Sequence, residues 1–448
     1  MKSNWSYKKI INLRLKLIDG DRGKNYPKQD DFSSEGYCLF LNTGNVTTNG
    51  FDFSSNSFIS KEKDSILRKG KLQRNDIILT TRGTIGNVAL YSNSIAYENV
   101  RINSGMLIVR PDKNEFDCAF LYQLLCSPNF KEQVRQFQYG AAQPQLPIRT
   151  LNHIKLPIPS LPTQRKIAAI LSAYDDLIEN NRKRIKLLEE KAQLTYEEWF
   201  VRMKFPGHER TPINEETGLP EGWKLESFSK AVQLNPRTKI SKGKIAPYIP
   251  MGSLSETGMV IDPIEERAAS GGAKFQNGDT LFARITPCLE NGKTGFVQFM
   301  DSVDQIATGS TEFIVFRETE TVGRHFIYCT SRSERFRELA IKSMAGSDGR
   351  QRVKNESFEK FDFKCPPADL MGKFEESAFG IFSSIQTMIK QNQLLKEARD
   401  ILLPRLMTGI IDVESLDLSA FEDGDEEGML MAAEPGRSYS SKNRTDEE

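Results

Sequence analysis

The chain has 448 residues, of which 38% are hydrophobic and 27% charged, a composition typical of water-soluble globular proteins. This length is too great for one ordinary hydrophobic core and predicts about two or three domains. No stretch reaches the roughly 20 apolar residues that span a bilayer. The start, MKSNWSYKKI, lacks the apolar core of a signal peptide. We therefore expect a cytoplasmic protein.

The formal net charge of +1 conceals an uneven distribution along the chain. Residues 413–448 hold 3 basic and 11 acidic side chains, a net of −8, so residues 1–412 carry +9. Because residues 413–448 are poor in large apolar groups, we predict an acidic disordered tail there. The basic surplus of the remainder has the sign expected of a nucleic-acid partner.

The first half of the chain predicts a globular part followed by a long helix. Short apolar runs bounded by Gly, Asn and Asp indicate strands at Ile77–Leu79 and Met106–Val109, and a helical piece follows at Phe120–Phe137. The segment LPIPSLPTQRKIAAIL (Leu156–Leu171) then changes from prolines to apolar residues at steps of three and four, which predicts a coiled-coil helix. This mixture is typical of an α+β fold.

The second half repeats the first about 207 residues later. KLQRNDIIL matches KFQNGDTLF, MLIVR matches FIVFR, and FLY matches FIY, in the same order. A degraded proline pair, Pro366-Pro367, again precedes a long amphipathic helix. The chain is therefore predicted to contain two related globular parts, each followed by a helix.

The two long helices can be paired from their apolar residues. An antiparallel register places Leu171 opposite Leu402 and Asn181 opposite Asn392, where each asparagine is the polar interruption of its own apolar seam. A buried Asn pair fixes register at a cost in stability. A parallel register would leave both amides against apolar groups. We therefore predict an antiparallel coiled coil with pseudo-two-fold symmetry, and we expect Pro404 to kink or end the second helix.

A resemblance to a known family extends over nearly the whole chain, up to about residue 412. LPIPSLPTQRKIAAIL, LLPRLMTGIIDV and NDIILTTRGTIGNVAL are similar to segments of the specificity (S) subunit of type I restriction–modification systems. The entry to the second helix lacks the glutamine that stands at Gln164, at the start of the first helix. In this family two target-recognition domains each bind half of a bipartite DNA site, and the helices set the spacing.

The resemblance implies an α+β fold with two tandem target-recognition domains joined by two long helices. The predicted boundaries are 1–160 for target-recognition domain 1, 161–206 for the central helix, 207–367 for target-recognition domain 2, 368–412 for the C-terminal helix, and 413–448 for the tail.

Several loops carry the residue types that contact DNA. Arg reads guanine, Asn and Gln read adenine, and Lys and Arg hold phosphates. Most candidates lie in equivalent loops of the two copies: Arg82, Asn87, Gln143, Gln145 and Arg149 in the first, and Arg284, Asn291, Lys293, Arg350, Gln351, Arg352 and Lys354 in the second. Arg101 is a lesser candidate in the first copy. The loops differ in sequence, which predicts two different half-sites.

No catalytic residue, cofactor or metal ligand is predicted, because a methyltransferase loop, a phosphate-binding loop and zinc-ligand spacing are all missing from the sequence. The resemblance implies double-stranded DNA, two modification (methyltransferase) subunits and restriction (nuclease/translocase) subunits as partners.

Two other functions remain open. One is a self-contained DNA nuclease, for which Glu189-Glu190-Lys191 offers a metal-site string, although its helical position favours a solvated face. The other is a coiled-coil scaffold without a DNA role, whose binding would be indifferent to salt.

Overall fold

A computed structural model describes residues 5–137, 145–302, 304–346 and 350–416 of the chain. The predicted acidic tail lies outside the described residues from position 417 onward. The chain divides into two compact units: unit 1 holds residues 1–177 and 395–448, and unit 2 holds residues 178–394. In the described ranges, no helix has both the length and the apolar character that crossing a membrane requires.

The globular part of unit 1 mixes short strands and helices. Its elements are β1 (Ser6–Lys9), β2 (Leu15–Asp19), β3 (Cys38–Leu41), β4 (Val46–Thr47), β5 (Gly50–Phe51), β6 (Phe58–Ile59), α1 (Lys61–Ile66), β7 (Ile77–Thr80), β8 (Val88–Leu90), β9 (Val100–Ile102), β10 (Met106–Pro111), α2 (Cys118–Cys126), α3 (Pro128–Gln136), α4 (Ile148–Leu151) and β11 (Lys155–Ile158). The long helix α5 (Leu161–Tyr196) follows and continues as a π-helical turn over Glu197–Val201.

The globular part of unit 2 repeats this plan. Its elements are β12 (Lys224–Ser227), α6 (Phe228–Ala231), β13 (Gln233–Leu234), β14 (Ile245–Ile249), β15 (Glu265–Ala268), β16 (Ala273–Phe275), β17 (Thr280–Ala283), β18 (Thr294–Phe296), β19 (Ala307–Gly309), β20 (Phe313–Arg317), α7 (Arg324–Arg332), α8 (Glu334–Lys342) and β21 (Asp362–Cys365). The second long helix, α9, spans Ala368–Met407.

Each unit is built on a four-stranded antiparallel sheet, with strand order β2-β10-β7-β8 in unit 1 and β13-β20-β17-β18 in unit 2. Successive side chains of a strand point to opposite faces. Ile77 and Leu79 of β7 therefore pack with the helices, whereas Ile78 packs with the strands β3 and β9. Burial on both faces explains why these strands are short uninterrupted apolar runs.

The duplication extends to a buried ion pair. In unit 1, Arg110 donates from Nε and Nη2 to the two carboxylate oxygens of Asp76, both at 2.7 Å. In unit 2, Arg317 makes the same bidentate pair with Asp279, at 2.7 and 2.6 Å. Both arginines end the matched segments MLIVR and FIVFR, so the sequence alignment of the two halves is confirmed at the level of side-chain contacts.

The predicted helical piece Phe120–Phe137 is in fact two helices. The break comes at Ser127, whose backbone is extended and whose hydroxyl accepts a hydrogen bond from the amide of Phe130, with Pro128 as the first residue of α3. Ser333 separates α7 from α8 in the same way. The apolar periodicity continued across a serine cap, and the prediction missed the cap.

The stiff segment before each long helix is one strand of a two-stranded ribbon. β11, which contains Pro157, pairs with β1 at the start of the chain, and β21 pairs with β12 in the same antiparallel way. In unit 1, buried Gln164 then fixes the start of α5. Its Oε1 accepts from the amide of Asp117 at 2.9 Å, and its Nε2 donates to the carbonyl oxygens of Glu115 and Pro159.

The long helices pair antiparallel in each unit. In unit 1, Ile167 and Leu171 share a core with Leu403 and Leu406, so the end of α9 lies along the start of α5. Asp175 accepts a hydrogen bond from Nη1 of Arg399 at 2.6 Å. Pro404 does not end α9, which continues for three more residues to Met407.

In unit 2, the asparagine pair stands where the predicted register requires it. Nδ2 of Asn181 donates to Oδ1 of Asn392 at 3.0 Å, and both residues are 8% exposed. The ring centroids of Trp199 and Phe374 lie 6.0 Å apart, again as the register predicts. The parallel alternative is therefore wrong.

We expect Asn181→Leu to destabilise the helix pair by about 1–3 kcal/mol, because the Asn392 amide would lose its buried partner. The double variant with Asn392→Leu is expected to recover that stability while losing the polar pair that fixes register. Hydrogen–deuterium exchange of the peptides that contain residues 178–190 measures both effects.

The matched control for this prediction is Asn180→Leu, because Asn180 is the adjacent residue and is exposed. It should leave the exchange of the helix unchanged. Equal exchange in the Asn180 and Asn181 single variants would contradict a stabilising role for the asparagine pair.

Candidate nucleic-acid interface

In unit 1, backbone hydrogen bonds bring two of the predicted DNA-contact loops together. Arg82, just after β7, forms a β-bridge with Gln145, and the amide of Leu146 donates to the carbonyl of Thr81 at 3.0 Å. The amides of Thr81 and Arg82 both donate to the carbonyl of Gly105, at 2.8 and 3.1 Å. Arg82 is exposed beside half-buried Gln145, so its charge can reach a ligand at this edge.

Unit 2 holds the equivalent loops with the same hydrogen bonds. Ile285 forms a β-bridge with Arg352, and the amide of Val353 donates to the carbonyl of Arg284 at 2.9 Å. The amide of Arg284 donates to the carbonyl of Glu312 at 3.1 Å. By these bonds Arg284 occupies the place of Thr81, Glu312 that of Gly105, and Arg352 that of Gln145. The backbone frame is common to both units, and the side chains on it differ.

In unit 2 these places hold an ionic cluster, which we call the Arg–Glu–Arg cluster: Arg284, Glu312 and Arg352. Arg352 donates to the carboxylate of Glu312 from Nε at 2.9–3.0 Å and from Nη2 at 2.8 Å. Nε of Arg284 donates to the same carboxylate at 3.3 Å. These hydrogen bonds, first from Arg352 and then from Arg284, hold the pKa of Glu312 below its ordinary value, against the opposing effect of partial burial. The cluster therefore stays ionised at neutral pH.

Other predicted contact residues lie at the surface of the same loops. Arg149 is exposed on the short helix α4, and Arg350 and Lys354 are exposed on either side of Arg352. Lys293 is half-buried in the loop before β18, where its amide donates to the carbonyl of Cys288. Gln351 is also half-buried, and its carbonyl accepts from Thr286. Gln143 lies outside the described residues.

The position of Arg101 contradicts its prediction as a DNA contact. It is only 5% exposed, and its guanidinium binds the Asp64 carboxylate at 2.5 Å and the carbonyl oxygens of Lys69, Asp64 and Leu67. Every edge of this guanidinium is occupied inside unit 1. Arg101 therefore stabilises the packing of α1 against β9, and DNA cannot reach it.

Two asparagines among the candidates make structural hydrogen bonds with their side-chain amide nitrogens. Nδ2 of Asn87 donates to the carbonyl of Val46 at 2.9 Å, and Nδ2 of Asn291 donates to Oε1 of Glu256 at 3.0 Å. An Asn that reads adenine needs both its amide nitrogen and its oxygen. The hydrogen bond inside the fold occupies one of the two N–H groups of each amide nitrogen and fixes the orientation of the side chain.

Sequence analysis missed two basic residues beside the Arg–Glu–Arg cluster. Exposed Arg237 and half-buried Lys274 line a cleft of about 430 Å³ together with Arg284. The available signal for Lys274 was its match with Lys71 at the start of the aligned segments KLQRNDIIL and KFQNGDTLF. Lys71 itself pairs with Asp64 at 2.5 Å in unit 1. The two aligned lysines therefore have different surroundings.

The string Glu189-Glu190-Lys191, considered for a nuclease, is not a uniformly solvated face. Glu189 accepts a hydrogen bond from the amide of Met259 at 2.9 Å, and burial raises the pKa of its carboxyl. It thus ties α5 to the loop before β15 within unit 2. Glu190 is exposed beside it.

Comparison with known proteins gives one consistent family. Residues 10–190 match the profile of the type I restriction modification DNA specificity domain. The type I restriction enzyme MjaIX specificity subunit of Methanocaldococcus jannaschii is 27% identical over 354 residues, which cover 76% of this chain and 78% of that protein. The HindI specificity subunit of Haemophilus influenzae is 21% identical over 461 residues, which cover 88% of this chain and 98% of the relative.

A solved structure shares the fold. The S subunit of a type I restriction–modification system from M. genitalium aligns with a TM-score of 0.52 at 15% identity, covering 90% of this chain and 96% of that one. The profile match lies in the first half, and both curated relatives extend across both halves. Residues 10–190 therefore form a type I restriction modification DNA specificity domain, and over most of its length the chain is similar to the specificity subunits of type I restriction enzymes.

Proposed function

We propose that the chain reads a bipartite, asymmetric DNA site, with unit 1 on one half-site and unit 2 on the other. The observation that carries this proposal is the repeated pair of loops: Arg82 forms a β-bridge with Gln145 in unit 1, and Ile285, next to Arg284, forms the equivalent β-bridge with Arg352 in unit 2. The backbone frame is the same, while the base-reading side chains differ. Two equivalent frames with different side chains are what two different half-sites require.

In this proposal the chain supplies specificity and other subunits supply chemistry. Two methyltransferase subunits would modify the site, and restriction subunits would cleave DNA that lacks the modification. The relatives are named as specificity subunits of type I restriction enzymes. Because the proposed ligand is double-stranded DNA, we expect the chain to act in the cytoplasm.

Modification-sensitive sequencing of host DNA, with and without this gene, tests the proposal. Loss of methylation at one split motif, two short half-sites around a fixed gap, is the expected result and names the target. An active methyltransferase whose modification map is the same with and without the gene would overturn the specificity role.

Exposed apolar residues on the long helices support the docking of two methyltransferase subunits. In unit 2, Leu187 and Leu194 of α5 are 64% and 57% exposed and stand seven residues apart on one face. The equivalent residues of α9, Leu394 and Ile401, are 65% and 56% exposed. Large apolar side chains repeated on a solvent-facing helical stripe are typical of a protein-binding surface. Their duplication suits two copies of one partner.

We expect Leu194→Glu to abolish or strongly weaken association with the methyltransferase subunits, because a carboxylate would be buried at the centre of an apolar contact. Size-exclusion chromatography of the co-expressed subunits measures the association. Leu225→Glu is the matched control, since Leu225 is 63% exposed but lies on β12. Equal complex formation by the two variants would contradict this docking surface.

A further inference from the structure

The Arg–Glu–Arg cluster joins three separate segments of unit 2 at the loop edge. Arg284 follows β17, Glu312 precedes β20, and Arg352 lies in the segment after α8. The side chains of Arg284, Glu312 and Arg352 are 32%, 21% and 41% exposed. The carboxylate is therefore the most covered member, and both guanidinium groups retain a solvent-facing side.

Glu312 occupies only one edge of the Arg352 guanidinium. The carboxylate takes the Nε–H and one N–H of Nη2. The second N–H of Nη2 and both of Nη1 point away from it, because the five donors of a guanidinium lie in a fixed planar fork. Nη1 comes no closer than 3.5 Å to the carbonyl of Arg350, at the limit of a hydrogen bond. A pair of parallel donors is left for a ligand.

Two parallel donors on a guanidinium match the O6 and N7 acceptors of guanine in the major groove. We propose that Arg352, held in its orientation by Glu312 and supported by Arg284, reads a guanine in the half-site bound by unit 2. This inference rests on the proposed DNA-reading function and adds the base chemistry of one half-site. Glu312 acts as a positioning residue. It fixes the rotamer of Arg352 before DNA arrives, which reduces the entropy lost on binding.

The same places in unit 1 cannot make this arrangement. Thr81 stands for Arg284, Gly105 for Glu312 and Gln145 for Arg352, and the Thr81 hydroxyl donates to the Gly105 carbonyl at 3.0 Å. Unit 1 therefore has no carboxylate that could orient an arginine there. The guanine requirement set by the cluster belongs to one half-site only.

A purely structural role is the competing explanation, since the cluster also ties three segments together. The two explanations differ in what they demand of the DNA. A structural staple affects all sequences equally when it is broken, whereas a guanine reader loses discrimination at one base pair.

Binding-site selection from random double-stranded DNA tests the inference, with the full-length chain in complex with its co-expressed methyltransferase subunits. The wild-type complex should select a guanine at a fixed position of one half-site. Arg352→Ala should lose that preference, by roughly 5- to 150-fold for one bidentate arginine–guanine pair, and should leave the other half-site unchanged. Arg352→Lys, which keeps the charge without the planar fork, should lose it as well.

Lys354→Ala is the matched control, because Lys354 is an exposed basic residue two positions away. It should weaken binding to all sequences without changing the selected motif. Glu312→Gln should keep the fold of the loop but reduce the discrimination at the same base pair, since a neutral amide holds the guanidinium less firmly.

A second measurement uses only the wild-type chain and so does not depend on variants that fold. Replacing the selected guanine by 7-deazaguanine removes N7 and should weaken binding. The same replacement in the gap between the two half-sites should have no effect. A selected motif without guanine in either half, or one that Arg352→Ala leaves intact, overturns this inference alone. A wild-type complex that selects no sequence overturns both this inference and the proposed function.

Discussion

Replacing Phe374 with alanine is expected to lower the free energy of unfolding of unit 2 by about 3–5 kcal/mol, the usual cost of removing a buried aromatic side chain. Phe374 is 1% exposed at the start of α9. Its ring centroid lies 4.9 Å from that of Phe200 and 6.0 Å from that of Trp199. The cavity would open where the end of α5 meets α9, so both the core and the helix pairing would weaken.

Tryptophan fluorescence during urea unfolding measures this effect. The chain has three tryptophans, and Trp199 and Trp223 lie in unit 2. A Trp5→Phe background leaves only these two as probes. Phe379→Ala is the matched control, because Phe379 is on the same helix but 64% exposed. The control should stay within about 0.5 kcal/mol of the parent, and an equal effect of both variants would show that Phe374 is not a core residue.

The second large effect is expected from Asp279→Ala. Removing one partner of a buried ion pair typically costs about 3–5 kcal/mol, since it leaves an uncompensated charge. The Asp279 and Arg317 side chains are 1% and 16% exposed. Burial raises the pKa of Asp279, and the hydrogen bonds from Arg317 oppose this. The complete ion pair therefore contributes little to the free energy of unfolding, whereas one buried charge without its partner is strongly destabilising.

The same tryptophan signal measures the Asp279 variant. Adding Arg317→Met should restore part of the lost stability, because the unpaired charge is then removed. Glu338→Ala is the control: its ion pair with Lys342 is between side chains that are 54% and 73% exposed, and its loss should change stability by no more than about 0.5 kcal/mol. If Asp279→Ala were as mild as this control, the ion pair would not be a buried element of the fold.

The features that sequence analysis predicted correctly are those carried by local patterns. Apolar residues at steps of three and four define α5 and α9, and single polar interruptions at Asn181 and Asn392 were enough to choose their register. The repeat was visible because Asp76 and Arg110 recur as Asp279 and Arg317. Each helix and each matched segment can be read within a window of some tens of residues, and comparison of the two halves then gives the repeat and the register.

The errors arise where a side chain finds its partner far along the chain. Arg101 resembles a surface arginine until the fold brings Asp64, 37 residues away, against it. Glu312 and Arg352 are 40 residues apart, and nothing in either local sequence indicates that they meet. The sequence predicted which residue types lie in these loops, but it did not predict whether an arginine there is exposed or ion-paired inside the fold.

The two ends of unit 1 have a consequence for biosynthesis. Its core includes Leu406, Met407 and Val413, whereas its globular part ends before residue 178. At about 5–20 residues per second, a ribosome adds these last residues roughly 10–50 s after residue 178. Unit 2 is one continuous segment and can close first. The domain that is translated first is thus completed last, and a chain truncated within α9 would leave its N-terminal half with an uncovered core.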